Sequence, residues 1–154
     1  MALKGDRYEA NTDISFFMNV VSERGGPVVL AGVGSGAALD QGVAQVTVTS
    51  ATVPPSGAVP IGLLLNDVVD IDQTRQKINM HKDEMQRGGK VCILRHGWVV
   101  TNMIEGAPSA GATAYVGNSG LISGTPANDF VASIGRFDST VDEDGYARVF
   151  VNLP

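Results

Sequence analysis

The stretch Lys90–Thr101, KVCILRHGWVVT, constrains the fold of this chain more than any other. It holds the single Trp (Trp98), the single Cys (Cys92) and one of the two His residues (His96), in a run of apolar and β-branched residues without proline. Gly88-Gly89 closes it on one side, and Glu105-Gly106-Ala107-Pro108 loosens the chain on the other, so it reads as a central strand. A glycine inside a strand pattern marks a bulge or a bend. Gly97 therefore predicts two short strands or one kinked strand, with Trp98 packed near the kink. Trp98 and Cys92 are expected in the core.

The rest of the chain reads as strands to pair with it. Residues 1–13 are polar, carry charges of both signs and have no period, which predicts an extended N-terminal arm. Ile14–Val21 reads as a strand, Arg24-Gly25-Gly26-Pro27 as a turn and Pro27–Ala31 as a second strand. Gly32–Gly42 is a small-residue loop. Gln45–Thr49 alternates, with Val46 and Val48 expected on the buried face and Gln45, Thr47 and Thr49 on the other. After Pro54-Pro55-Ser56-Gly57, the run Ile61–Ile71 gives one or two strands. Residues 72–89 form the long polar stretch, and Ile78, Met80 and Met85 keep no helix period there, so an irregular excursion is expected. Ala112–Val116 and Leu121–Ser123 flank Gly117-Asn118-Ser119-Gly120 as a hairpin. Phe130–Phe137 is a further strand. A last hairpin turns at Asp144-Gly145 and puts Ala147, Val149, Val151 and Leu153 on one face, with Val149 and Val151 in the core.

Short strands with turn signals every 8 to 12 residues or so give the fold class. It is mainly β: an antiparallel small β-barrel or sandwich with an extended N-terminal arm and a long polar excursion loop. The domain division is an arm, 1–13, and a single β domain, 14–154, that contains the excursion, 72–89. A chain of 154 residues can bury roughly 70% of its unfolded surface. One Cys permits no internal disulfide and no thiolate zinc site. With 11 Lys plus Arg against 16 Asp plus Glu, the net charge of −5 repels phosphate, so no nucleic-acid partner is expected. No segment approaches the ~20 apolar residues of a membrane span. Ile14–Val21 makes a poor signal peptide, and synthesis inside the cell fits.

Four clusters invite a chemical reading, and each lacks a partner. Gly32-Val33-Gly34-Ser35-Gly36-Ala37 follows an apolar run, but a strand follows it where a dinucleotide fingerprint needs a helix. Thr140–Gly145 resembles a calcium loop, yet Thr140 and Val151 fall where its end carboxylates belong, and Asp144-Gly145 suits a β-turn. Cys92 and His96 in one straight strand would stand ~13 Å apart, out of reach as nucleophile and base. His81 with Asp83 and Glu84 offers one imidazole and two carboxylates that point apart in extended chain. No catalytic residue, metal site or cofactor is expected.

Several stretches together resemble a known family. Lys4-Gly5-Asp6-Arg7-Tyr8, Asp13-Ile14-Ser15-Phe16-Phe17-Met18-Asn19, Ile78-Asn79-Met80-His81-Lys82-Asp83-Glu84 and Gly97-Trp98-Val99-Val100-Thr101 are similar to capsid decoration (cement) proteins of tailed, podophage-like bacteriophages. The second half, through Gly111–Val116, Gly120-Leu121-Ile122-Ser123, Ile134-Gly135-Arg136-Phe137 and Arg148-Val149-Phe150-Val151, resembles small β-barrel phage head proteins. The resemblance implies a structural virion protein, made in the bacterial cytoplasm, that binds the outside of the head and clamps neighbouring major capsid subunits, commonly as a trimer.

A hydrophobic share of 44% with 18% charged residues is in keeping with a homotrimer. Arg7 and Tyr8 in the arm, and Arg75, Lys82 and Arg87 in the excursion, are the expected partner contacts, because Arg and Tyr are enriched at interfaces. The competing readings are a carbohydrate- or receptor-binding module of the virion, for which Trp98, Tyr115 or Tyr146 would form an exposed stacking row, and a small hydrolase.

Overall fold

The computed structural model describes residues 2–31, 45–68, 71–72, 77–78 and 83–154. The glycine motif at 32–37, Arg75, His81 and Lys82 lie outside the described residues. In chain order the strands are β1 (Leu3–Met18), β2 (Ser22–Glu23), β3 (Pro27–Leu30), β4 (Gln45–Thr47), β5 (Pro60–Asp67), β6 (Ile71–Asp72), β7 (Lys77–Ile78), β8 (Glu84–Met85), β9 (Lys90–Thr101), β10 (Ile104–Glu105), β11 (Thr113–Val116), β12 (Ile122–Ser123), β13 (Ser133–Phe137) and β14 (Ala147–Asn152).

The stretch that opened the sequence reading is β9, and the sheet is assembled around it. One ten-stranded sheet runs β1-β4-β3-β5-β9-β14-β13-β11-β12-β10, and β1 also pairs with β9. The first half of β9 pairs with β5 and the second half with β14, while β1 pairs with both halves. The β1–β4 and β10–β12 pairs are parallel, so the sheet is mixed where an antiparallel one was expected. The arrangement is sandwich-like, with apolar side chains packed on both faces of its centre.

Those faces form two cores. The larger gathers Leu63, Leu65, Leu94, Val99, Ile134, Phe137, Val149 and Val151 among others. The smaller gathers Met18, Val28, Val46, Leu64, Met85, Val91 and Ile93. Leu63, Leu64 and Leu65 are all fully buried, which is why β5 reads as a continuous apolar run and not an alternating one.

The kink expected at Gly97 is a change of sidedness. Gly97 has φ +145°, and the β1–β9 register shifts on either side of His96, where Gly97 faces Glu9, His96 faces Asn11 and Leu94 faces Thr12. Before the bulge Leu94 points into the large core and Val91 and Ile93 into the small one; after it Val99 joins the large core. Trp98 follows Gly97 on the opposite face. It is therefore half-buried on the outer surface of the sheet, not in the core where the sequence reading placed it. Cys92 is half-buried against the large core.

Three other expectations change. Residues 3–13, read as an arm outside the domain, are the beginning of β1 and pair with β9 from Leu3 opposite Thr101 onward. Strand pairing satisfies a polar backbone without any apolar period, which is why composition alone misreads such a segment. Its end is held firmly: Ala2 and Leu3 are buried, and the Ala2 carbonyl accepts from Asn102 N–H at 3.0 Å. In β4 and just beyond, Thr47 and Thr49 are buried while Val48 is half-buried. Thr49 Oγ1 donates to the Gly117 carbonyl (2.7 Å) and accepts from Gly120 N–H (2.9 Å), so burial leaves it satisfied. The excursion, finally, contributes β6–β7 and β2–β8 pairs, buries Met85 and is tied down by Arg24–Asp83 at 2.9 Å.

Two carboxylates hold segments by charge. Burial pushes Asp13 up, but the side-chain and backbone hydrogen bonds from Ser15 and the Arg95 guanidinium at 3.1 Å outweigh it, leaving the carboxyl below its ordinary value. Burial likewise pushes Asp83 up, and Arg24 and the Ala2 N–H bring it below. A depressed folded pKa contributes stability that is present above the unfolded value and lost as pH falls through the folded one. The melting temperature of the protein is therefore expected to fall on acidification below about pH 4. The Asp13→Asn/Asp83→Asn variant should melt lower than wild type at pH 7, and the gap should close as the pH falls below the ordinary carboxylate range, as read by circular dichroism; parallel curves would refute this.

Candidate functional site

Strand alternation places one row of side chains across the outer face. Tyr8 of β1 faces Trp98 of β9, Trp98 faces Phe150 of β14, and Phe150 faces Arg136 of β13. At ~4.8 Å between strands this row spans roughly 15 Å. Beside it, Arg148 stands opposite Val100 and Asn152 opposite His96.

Cations lie over the rings. The Arg148 guanidinium is 3.8 Å from the Trp98 ring centroid, Arg136 is 5.4 Å from that of Phe150, and Lys4 Nζ is 4.3 Å from that of Tyr146. These are cation–π distances. Asp138 holds both arginines through their Nε atoms, at 2.9 Å from Arg136 and 3.6 Å from Arg148. His96 stands edge-on to Phe150 at 5.4 Å, and its Nδ1 lies 3.1 Å from Asn152 Oδ1. Tyr8 is 54% exposed.

The predicted contact residues separate. Tyr8 belongs to this row. Arg7, half-buried, pairs with Glu9 at 2.6 Å, and Arg87 is exposed on the turn before β9. Arg136, Arg148 and Phe150, which the sequence reading did not single out, stand on the same face. The signal was present in β14, whose buried Ala147, Val149 and Val151 force Arg148, Phe150 and Asn152 outward, but their convergence with Trp98 requires the β9–β14 register.

Two of the reactive readings, those at Cys92–His96 and at Thr140–Gly145, fall on described residues. Burial and the Glu9 carboxylate push the Cys92 thiol up, which keeps it protonated near neutral pH. His96 is engaged with Asn152 and Phe150. Asp142 Oδ1 accepts from the N–H groups of Asp144 and Tyr146 at 3.0 and 2.8 Å, so the acidic segment is spent on building its own turn. Among the described residues no three His, Cys, Asp or Glu side chains come together as metal ligands. The groove of about 300 Å³ lined by Glu105–Ser109, Ala112, Gly124 and Thr125 offers one carboxylate, and Glu105 already accepts from the backbone and side chain of Asn118.

No curated protein matches the chain. The phage cement family, described as structural cement protein (E217 gp24/Pam3 gp6), matches it over residues 5–152. That span takes in nearly all of the sheet from β1 to β14, including Tyr8, Trp98, Arg136, Arg148 and Phe150. The chain thus belongs to the phage structural cement protein family, and it is a structural protein of the phage particle, not an enzyme.

Proposed function

We propose that this protein works as a homotrimer on the exterior of the phage head, bridging neighbouring major capsid subunits after synthesis in the bacterial cytoplasm. The observation that carries the reading is the family match over residues 5–152. A two-core sheet whose outer face combines Trp, Tyr and Arg supports it, since those residue types dominate the energetics of protein interfaces. The acidic net charge of −5 disfavours the packaged nucleic acid as the partner. No helix among the described residues is long and apolar enough to cross a membrane.

The half-exposed Trp98 favours one other reading, a glycan-binding module, because sugars stack on open aromatic faces. Here the guanidinium of Arg148 already occupies the Trp98 face at 3.8 Å. Arg136 lies over Phe150 as well, so the row presents nitrogen donors and not bare rings. Partner-protein docking accounts for that surface better.

The test uses heads prepared without the cement protein. Added protein is expected to co-sediment with them, to appear on the outer surface by electron microscopy, and to raise the temperature at which heads release DNA. Light scattering is expected to give the mass of a trimer. Absence of binding would sink the reading, and a monomer both free and on the particle would sink its oligomeric part.

A further inference from the structure

We infer that Arg136 and Arg148 form a carboxylate-binding fork, the point at which an acidic segment of the shell protein docks on this chain. The inference rests on the proposed attachment to the head and goes further by naming the docking chemistry and the residues. It starts from how the two guanidiniums are held. Each lies over an aromatic ring; Arg136 Nε donates to Asp138 at 2.9 Å, and Arg148 Nε is ion-paired with the same carboxylate at 3.6 Å. Among the described residues their terminal nitrogens donate no hydrogen bond. A guanidinium fixed by stacking and by its ε edge has its remaining N–H groups arranged in a plane that matches a carboxylate in bidentate fashion.

The charge balance of the patch gives the sign of the partner. Two arginines share one carboxylate, which leaves a positive excess at the fork. This excess stands on a chain of net charge −5, so the cations are gathered against the overall balance. Arg136 is 64% exposed and Arg148 44%, so a partner can reach both. Tyr8, Trp98 and Phe150 alongside supply apolar area around the charge contact, the combination found at the centre of well-packed interfaces. An acidic protein segment satisfies both halves of the surface. A nucleic-acid phosphate would satisfy only the charge, against the repulsion of the rest of the molecule.

Heads lacking the cement protein are incubated with wild type, with Arg136→Glu/Arg148→Glu and with Arg136→Lys/Arg148→Lys, and the bound fraction is titrated at low and at physiological salt. Wild type is expected to bind with an affinity that falls as salt rises. The Glu pair should bind about a hundredfold more weakly, because it faces the shell's carboxylates with like charge. The Lys pair, which keeps charge but loses bidentate geometry, should lose about tenfold. Should wild type itself not bind, the attachment reading fails, a result separate from the outcomes below.

With wild type bound, heads that take up a folded Glu pair at wild-type affinity would overturn the inference. If the Glu pair does not fold, the Lys pair decides: a tenfold loss supports the fork, and unchanged affinity overturns it. Retention of wild type on free double-stranded DNA at physiological salt, lost in the Glu pair, would also overturn it in favour of a phosphate partner.

Discussion

Removal of residues Ala2–Asn11 is expected to lower the melting temperature by about 10 to 20 °C or to abolish cooperative unfolding, even though the segment is polar and terminal. The segment is half of a long strand. It places Leu3 in the large core at 1% exposure, and truncating one buried Leu costs about 2 to 5 kcal/mol. It also supplies β9 with its neighbour opposite Trp98, Val99 and Thr101. Without it Thr101, fully buried and within 3.2 Å of the Ala2 carbonyl, loses a partner and its cover. Summed, these losses reach about 5 kcal/mol, comparable to the whole stability of an ordinary domain. Circular dichroism melts of the truncated and full chains decide it. A melting temperature within about 2 °C of wild type would mean that β1 is a dispensable tail whose only role is at a partner.

Gly97→Val is expected to be as damaging as the truncation, with a loss of at least about 3 kcal/mol, or roughly 10 °C. Two independent facts bear on this one position. Its φ of +145° lies where side chains are rarely tolerated, and a Cβ built there would overlap the Tyr8 carbonyl oxygen. The backbone of β1 crosses over the bulge so closely that only glycine admits it. Gly106 provides the control, because its φ is +77° but a Cβ there meets nothing within 4 Å. Gly106→Ala should therefore cost only about 1 kcal/mol, from backbone strain alone. If Gly97→Ala shifts the melt no more than Gly106→Ala does, the close approach of β1 is not what that glycine is for.

These two sites also mark where sequence reasoning stops. β9 was legible with its boundaries because a largely apolar, proline-free run between Gly88-Gly89 and a Pro-containing loop has few other solutions. The closing hairpin was legible too, since Asp142 and Gly145 form the turn chemistry that its residues announce. Trp98 was misplaced because a one-residue change of phase at Gly97 sends every following side chain to the other face. Composition marks that a bulge exists and not which way the strand leaves it. Thr47 and Thr49 were misplaced for a related reason. The Thr49 hydroxyl finds partners at Gly117 and Gly120, far away in the chain, and Thr47 Oγ1 donates to the neighbouring Val48 carbonyl at 3.4 Å; polarity predicts exposure only when no such partner is available.

Residue types and motifs alone establish that this chain is a turn-rich β protein and that it resembles the phage cement family. The first follows from residue types and local spacing, which act within a few residues along the chain, and the second from the family motifs quoted above. The tertiary structure decided that the polar beginning of the chain is a core-bearing strand, that the centre of the sheet is buried on both faces, and that Trp98, Phe150, Arg136 and Arg148 meet on one outer surface. Pairing register joins residues as far apart as Tyr8 and Phe150 through a shared neighbour. That long-range hydrogen-bonded geometry, set by the bulge at Gly97 and by which edges of β9 remain open to β1, β5 and β14, leaves no local trace in the chain.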